Sequence, residues 1–213
     1  MQNQQPSTLK EIRVHGTQDF PCAFYQTGTR IKGNMVKHHW HEEVELLYFS
    51  GGEFCLEVNM ERFNISEECF YVINPGELHS ISVEKNGGCV ENAVVFHMDM
   101  LSSAYALDQI QTNLIQPVQN GSIQFPRCLR KNEPAFEPVR KSYEEIRNVF
   151  GGDSFRENYY DGEAVTDDIT RQLFIKSALL RILAVLSANN LFEVTEKNHD
   201  HRIETIKTTL TYI

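Results

Sequence analysis

The chain has 213 residues, with 29 acidic and 20 basic side chains and a formal net charge of −9. This length suits one sizeable domain with a smaller appendage. An acidic chain lacks the basic surface that holds nucleic acid, so we expect it to bind DNA poorly on its own.

No targeting or membrane segment is evident in the sequence. The first residues lack the basic and apolar regions of a signal peptide, and the most apolar run, Ala178 to Leu186, contains an arginine and is too short to cross a bilayer. The cysteines are odd in number and scattered, as is typical of free thiols. We therefore expect a cytoplasmic protein without a membrane partner.

Residues 1–19 are polar apart from one alternating piece, Ile12 to His15, and predict an N-terminal arm with at most a short strand. From 20 to 130, short apolar runs alternate with turn signals such as Asn74-Pro75-Gly76. Many short strands at this spacing predict an antiparallel sandwich or barrel. The Gly51-Gly52 pair predicts a hairpin, since glycines take the positive φ angles of tight turns. Residues 98–133 are mixed, with a short helix expected from Asp99.

Residues 131–197 have a helical period. One predicted helix begins near Pro134 and ends at Gly151-Gly152, with an apolar face that starts at Phe136. A second should start near Thr166-Asp167-Asp168 and run to about Ala188. Its apolar residues cover more than half of its circumference, so one face would pack on the barrel and the rest could pair with a second copy.

After a polar stretch predicted to be a linker, the last residues again show a helical period. Ile203, Ile206, Leu210 and Ile213 share one face. We expect 198–213 to be the start of a further domain, truncated within its first helix.

Three histidines and a glutamate form the candidate site. His39 and His41 project to one face of an extended segment, Glu45 opens the next strand, and His79 follows the turn at Asn74. Imidazole nitrogen with carboxylate oxygen suits Zn, Ni, Fe or Mn and leaves coordination positions open. The same side chains could equally line a metal-free polar pocket. His15 and His97 stand alone and are expected to be ordinary core or surface residues.

The motif Gly33, His39-x-His41, Glu45, Gly52 resembles the first motif of the cupin superfamily. The segment from Pro75 to His79 resembles the second motif, although its proline adjoins the glycine, the leading glycine is replaced, and no asparagine follows at the expected place. Taken together, His39 to Tyr48, Ile73 to Ser80 and Val94 to His97 resemble the sensor domain of AraC-family transcription regulators. The predicted second helix is similar to that family's dimerisation helix. Arg202 to Ile213 resembles the first helix of its DNA-binding domain.

This resemblance implies a mainly β fold with C-terminal helices: a cupin-type double-stranded β-helix, or jelly-roll barrel, over 20–130, then an α-helical dimerisation segment. It implies a homodimer that binds a small effector, often a sugar or related metabolite, and that reaches DNA only through a C-terminal domain missing from this chain. An N-terminal arm closes on ligand in some members. The rival interpretation is an enzyme, a mononuclear metal cupin such as a dioxygenase, isomerase or sugar-modifying enzyme.

Under the regulator interpretation the chain is not an enzyme. The effector-binding residues are expected to be His39, His41, Glu45, Tyr48, Phe54, Tyr71 and His79. The possible metal ligands are His39, His41, Glu45 and His79.

Overall fold

The computed structural model describes residues 9–29, 31–86, 89–105, 107–151 and 168–195, with Cys89 described by its backbone alone. Eight strands come first: β1 Cys22–Thr29, β2 Gly33–His39, β3 Val44–Phe49, β4 Phe54–Val58, β5 Glu61–Ile65, β6 Cys69–Ile73, β7 His79–Val83 and β8 Cys89–Phe96. The later elements are a 3-10 helix Met98–Leu101, a π-helical turn Gln111–Ile115 that continues as α1 Gln116–Gln119, β9 Ile123–Gln124, β10 Cys128–Arg130, α2 Phe136–Val149, α3 Ile169–Ala188 and β11 Glu193–Val194.

The first eight strands form two antiparallel sheets. One has the order β1-β8-β3-β6 with β10 at its edge, and the other has the order β2-β7-β4-β5. Consecutive strands mostly change sheet, which is the connectivity of an eight-stranded jelly roll. The predicted fold class, a cupin-type barrel with C-terminal helices, is confirmed.

The five-stranded sheet has a core on each face because side chains alternate along a strand. On β8, Ala93 and Val95 point into the barrel, while Val94 and Phe96 point outward. The outward side chains pack against α2 and α3 in a cluster that includes the fully buried Phe136 and other residues of both helices. The helices therefore contact the outer face of the sheet whose inner face lines the barrel.

The predicted hairpin at Gly51-Gly52 is wrong. The strands on either side of it, β3 and β4, lie in different sheets, so the glycines, with φ angles of 154° and 114°, carry the chain across the barrel. The real hairpin joins β4 to β5 through Asn59 and Met60, whose φ angles of 49° and 71° suit a type I′ turn. Sequence patterns miss β5 because this sheet-edge strand is mostly polar and exposed.

The helices lie close to their predicted positions. Asp168 caps α3, because its carboxylate accepts hydrogen bonds from the backbone N–H groups of Thr170 and Arg171. The expected linker after α3 is different: Glu193–Val194 pairs with Ile123–Gln124 as a small antiparallel ribbon. The predicted start of a further domain, 198–213, lies outside the described residues. Within the described part of the chain, no helix is long and apolar enough to cross a membrane.

Candidate functional site

His39 and His79 face each other across two neighbouring strands. They are directly paired in the β2–β7 register, and their ring centroids are 4.2 Å apart. His39 Nδ1 lies 2.8 Å from the carbonyl oxygen of Lys37, and His79 Nδ1 lies 2.9 Å from that of Glu77. A carbonyl oxygen only accepts, so each Nδ1 must carry a hydrogen. In the neutral ring, Nε2 then presents a lone pair to the barrel.

His41 and Glu45 complete the set from the opposite side. His41 lies between β2 and β3, with Nδ1 3.1 Å from the carbonyl oxygen of Glu43 and Nε2 3.4 Å from Oε2 of Glu45. The same Glu45 oxygen is 3.0 Å from His79 Nε2. Glu45 belongs to the five-stranded sheet, while His39 and His79 belong to the other. The four side chains therefore converge only because the two sheets face each other.

The β6–β7 turn holds His79 and His41 in place. Gly76, at a φ angle of 79°, donates its N–H to the His41 carbonyl oxygen at 2.7 Å. The buried Glu77 carboxylate accepts the Asn74 N–H at 2.7 Å and is paired with Arg127. Since the Glu77 carbonyl receives His79 Nδ1–H, this network fixes the ring that faces the site.

The electrostatics of the set require a cation. A lone pair on a neutral Nε2 and a carboxylate oxygen at 3.0 to 3.4 Å repel each other unless a proton or a metal ion lies between them. Burial pushes the pKa of Glu45 up, but the imidazoles of His41 and His79 hold it well below its ordinary value. Without a metal ion, the lowered pKa favours the ionised form of Glu45, and a proton on a facing imidazole would balance its charge.

The pKa values of His41 and His39 shift in opposite directions. Burial lowers the pKa of His41, but its hydrogen bond and charge interaction with Glu45 outweigh burial and raise it overall. Burial and the neighbouring His79 lower the pKa of His39. These opposite shifts favour the protonated form of His41 and the neutral form of His39. Three donors of this set, His39, His41 and His79, have their nitrogen atoms within 4.8 Å of one another, which suits a single metal ion.

The N-terminal segment brings two further donors that the sequence did not indicate. Lys10 forms a parallel bridge with Trp40, where the Glu11 N–H and the Trp40 carbonyl oxygen are 2.9 Å apart. Oε2 of Glu11 then lies 3.3 Å from Nε2 of both His15 and His39. His15, expected to be an ordinary core or surface residue, is 4% exposed and lies beside the His41 ring. The alternation from Ile12 to His15 predicts the reverse, because Ile12 and Val14 are exposed and His15 is buried.

A cavity of about 390 Å³ opens beside the histidines. Its volume is in the range of small-molecule sites. The rest of its lining is both polar and apolar and includes Tyr25, Thr27, Met35, Val36, Glu91, Ala93 and Val95. Glu91 is 2% exposed, and its Oε1 has no hydrogen-bond partner among the described residues. Burial, together with the charge of Glu45, raises the pKa of Glu91 well above its ordinary value, which favours its neutral carboxyl.

The three predicted aromatic site residues do not line this cavity. Tyr48 lies on the outer face of β3, packs on Phe70 and Tyr143, and donates its hydroxyl to Glu68 at 2.6 Å. The strict alternation of a strand requires this, because Glu45 points inward three residues earlier. Phe54 and Tyr71 do face the barrel interior, but they pack in its apolar cluster around Phe49. The prediction for Tyr48 as a barrel-lining residue is therefore wrong.

These features define a jelly-roll barrel with a cavity beside a histidine and carboxylate site. The sequence profile of the AraC-like ligand binding domain matches residues 26–148, more than half of the chain. The chain belongs to this family, as the resemblance of its motifs predicted.

One relative and two solved structures illustrate the similarity. The chain is 28% identical to the uncharacterised HTH-type transcriptional regulator YdeC of Bacillus subtilis over 114 residues, which cover 50% of this chain and 39% of that protein. The matched region thus spans about two fifths of that regulator. A predicted oxalate decarboxylase of Thermotoga maritima is 24% identical over 35% of this chain and 67% of its own, with a TM-score of 0.33. A cupin protein of Bacteroides fragilis is 14% identical over 41% of this chain and 70% of its own, with a TM-score of 0.33.

Removing the Glu45 charge should lower the pKa of His41. In Glu45→Gln the raising effect of the carboxylate disappears, while burial still lowers the value. An NMR titration of the histidine ring protons in metal-free protein should show His41 losing its proton at a lower pH than in wild type. As a control, Glu57→Gln removes the partner of the exposed His38 and should leave the His41 titration unchanged. An unaltered His41 titration in Glu45→Gln would contradict the assigned pair.

Proposed function

We propose that this chain is the effector-sensing part of a bacterial transcriptional regulator and that it binds its effector in the barrel cavity beside His39, His41, Glu45 and His79. The observation that carries this proposal is the convergence of these four side chains, three of which, His39, His41 and Glu45, line a cavity of about 390 Å³. Membership of the AraC-like ligand binding domain family supports a sensor in preference to an enzyme.

We further propose that the four side chains hold a divalent transition metal, namely Zn, Ni, Fe or Mn. Their chemistry fits such an ion: the Nε2 atoms face one another and a buried carboxylate, and the Nδ1 hydrogens are held by backbone carbonyls. When bound, the ion supplies a Lewis acid with open positions that an effector oxygen can occupy. The residues hold the ion in position, and the backbone carbonyls that bind the Nδ1 hydrogens leave each Nε2 free to bind it.

The remainder of the cavity suits a small hydroxylated molecule such as a sugar or a related metabolite. The Thr27 hydroxyl and the neutral carboxyl of Glu91 can each donate and accept a hydrogen bond. Apolar side chains such as Val36 and Val95 provide contact for carbon atoms. Two ionised carboxylates, Glu11 and Glu45, disfavour an anionic effector unless a metal ion compensates them.

In the complete regulator, we propose that effector binding changes DNA binding by a C-terminal domain. The arm and the helices offer two routes for the signal. The arm segment at Lys10 to His15 lines the cavity directly. The inner face of β3 carries Glu45, and its outer face carries Tyr48, which contacts Tyr143 of α2. A shift of the sheet on effector binding would therefore reach the helices through one layer of side chains.

The proposed barrel metal can be tested by metal analysis. Zinc affinity, measured by competition with a chromophoric chelator, should fall by about tenfold or more in a His39→Ala, His79→Ala double variant, because two of four ligands are lost. The matched control is a His38→Ala, His97→Ala double variant, which removes two histidines outside the set. Both double variants also carry His15→Ala, so that zinc bound by Glu11, His15 and His41 does not contribute. Equal zinc affinity in the two would then contradict the proposed barrel set.

The effector site can be tested with a panel of sugars and related hydroxylated metabolites. A compound that raises the melting temperature of metal-loaded protein should bind about three- to tenfold more weakly to Thr27→Val, which loses one hydrogen bond in the cavity wall. Tyr48→Phe also loses a hydroxyl, but on the outer face of β3, and should bind it normally. The opposite ranking would contradict the cavity as the effector site. Turnover of a compound that stops on chelation would contradict a purely sensory role.

We also propose that α3 pairs two copies of the chain. One face of α3 packs in the core through Ile175, Leu179 and Ile182, while the other face leaves large apolar side chains exposed. The exposed side chains are Ile169 at 71%, Leu173 at 61%, Phe174 at 59% and Leu180 at 43%. Such a stripe is favourable only when something covers it, and a second α3 presents the same surface.

Sedimentation equilibrium of the full chain tests this pairing. We expect a dimer, and Leu180→Asp should weaken it by about tenfold or more, because the charge would be buried against apolar side chains. Lys141→Glu is the control, since it changes the charge of an exposed residue on α2. A wild-type monomer at high concentration, or equal dimerisation of both variants, would contradict the proposal.

A further inference from the structure

We propose that Glu11, His15 and His41 form a second metal-binding position, which exists only when the N-terminal arm lies on the barrel, so that a bound ion links the two. This inference rests on the proposed function in that both positions take a divalent transition metal and share His41. It goes further by giving the arm a chemical role. The two sets differ in their other ligands, which allows each to be removed separately.

The geometry of this second set is that of a metal site. One carboxylate oxygen of Glu11 and one nitrogen from each of His15 and His41 lie within 4.8 Å of one another. Oε2 of Glu11 is 3.3 Å from His15 Nε2, and the ring centroids of His15 and His41 are 5.3 Å apart. Two imidazoles and a carboxylate are ligands that Zn²⁺ accepts, with water in a fourth position.

His15 is held as a ligand would be. It is 4% exposed, its Nδ1 lies 2.8 Å from the Tyr25 hydroxyl, and its Nε2 faces Oε2 of Glu11 at 3.3 Å. If Nδ1–H donates to the hydroxyl oxygen, Nε2 turns a lone pair toward Glu11, and a cation is again required between them. Without a cation, this buried nitrogen costs free energy.

The backbone after His15 fixes this placement. Gly16 has a φ angle of 81°, and a Cβ atom there would lie 2.4 Å from the carbonyl oxygen of Cys22 and 2.5 Å from that of Phe20. Only glycine fits such a position, because backbone atoms cannot move aside. The turn therefore directs the arm over the cavity and sets the His15 ring beside His41.

His41 belongs to both sets but has a single Nε2 directed inward. One lone pair binds one ion, so the two positions compete for His41. Glu11 lies between them, because its Oε2 is 3.3 Å from Nε2 of His39 as well as of His15. We call His39, His41, Glu45 and His79 the barrel set, and Glu11, His15 and His41 the arm set. An ion in the barrel set is independent of the arm. An ion in the arm set joins Glu11 and His15 to His41 and stabilises the docked arm.

Several of the other contacts of the arm are individually weaker than a coordinated ion. Two backbone hydrogen bonds join it to Trp40, through Leu9 and Glu11. The Lys10–Glu42 ion pair at 2.6 Å is exposed, with side-chain exposures of 47% and 62%. Exposed pairs of this kind contribute little. Docking of the arm should therefore respond measurably to metal.

Limited proteolysis tests this. Trypsin cleavage of the full chain after Arg13 is followed by mass spectrometry with Zn²⁺, with Mg²⁺ and with a chelator, and a reference peptide corrects for any effect of zinc on the protease. Zn²⁺ should slow cleavage of wild type by about tenfold or more relative to chelator, because only the undocked arm is cut. Mg²⁺ should have no such effect, since it prefers oxygen ligands.

Variants assign the effect to the arm set. His15→Ala and the near-isosteric Glu11→Gln should each lose the protection by Zn²⁺. Glu42→Gln, which removes the exposed ion pair and no donor, should keep it. A His39→Ala, His79→Ala double variant should also keep it, because the arm set is intact even though the barrel set is gone.

The outcomes separate this inference from the proposed barrel metal. The second position is overturned if Zn²⁺ does not protect wild type, or if it protects Glu11→Gln and His15→Ala as strongly as wild type. Neither result bears on zinc affinity in the barrel, which the His39→Ala, His79→Ala variant tests separately. Protection that disappears only in the His39→Ala, His79→Ala double variant would assign the effect to the barrel ion and also overturn it.

Discussion

The site depends on a buried carboxylate that faces imidazole nitrogens. Glu45 is ionised inside the barrel, 3.0 Å from His79 Nε2 and 3.4 Å from His41 Nε2. Because backbone carbonyls hold the Nδ1 hydrogens, the inward nitrogens can accept a cation but can donate only if they take an extra proton. The charge balance of the cavity therefore depends on what cation occupies it. Under the proposed function, this dependence links the bound cation to the effector in the cavity.

The jelly roll brings Glu45 and the histidines together and connects them to residues outside the barrel. Neighbouring positions on β3 face opposite ways, so the strand that carries Glu45 inward also carries Tyr48 outward to Tyr143 of α2. The arm approaches from the open side and adds Glu11 and His15. The histidine site thus lies between two elements that could change position, the arm and the helices. The arm contacts the site directly through Glu11, and the helices contact the strand that carries Glu45 through Tyr48.

Much of this was predictable from local pattern. The spacing of His39, His41 and Glu45, and the turn before His79, place the four side chains in extended segments that a barrel brings together. The helices follow from their period and from the acidic cap at Asp168. These features depend on residues near in sequence, where the period of the chain fixes the direction of a side chain.

The rest depended on long-range contacts. Glu91 looks like one polar residue in a strand, and its burial follows only from the closure of the barrel. The docking of the arm relies on backbone hydrogen bonds to Trp40, which carry no side-chain signature. The Gly51-Gly52 prediction failed because glycines permit a turn but do not decide whether the next strand stays in the same sheet. Tyr48 was misplaced although alternation from Glu45 was sufficient to place it outside.

The most direct test is a crystal structure of the zinc-loaded chain with anomalous diffraction measured at the zinc edge. We predict an anomalous peak among the inward nitrogens, about 2.0–2.1 Å from each ligating nitrogen. An oxygen of the Glu45 or Glu11 carboxylate should lie about 2.0–2.2 Å from the same peak. Absence of any anomalous peak near His41, with its Nε2 instead in direct hydrogen bond to Glu45, would contradict it and would leave a proton as the cation that holds the site together.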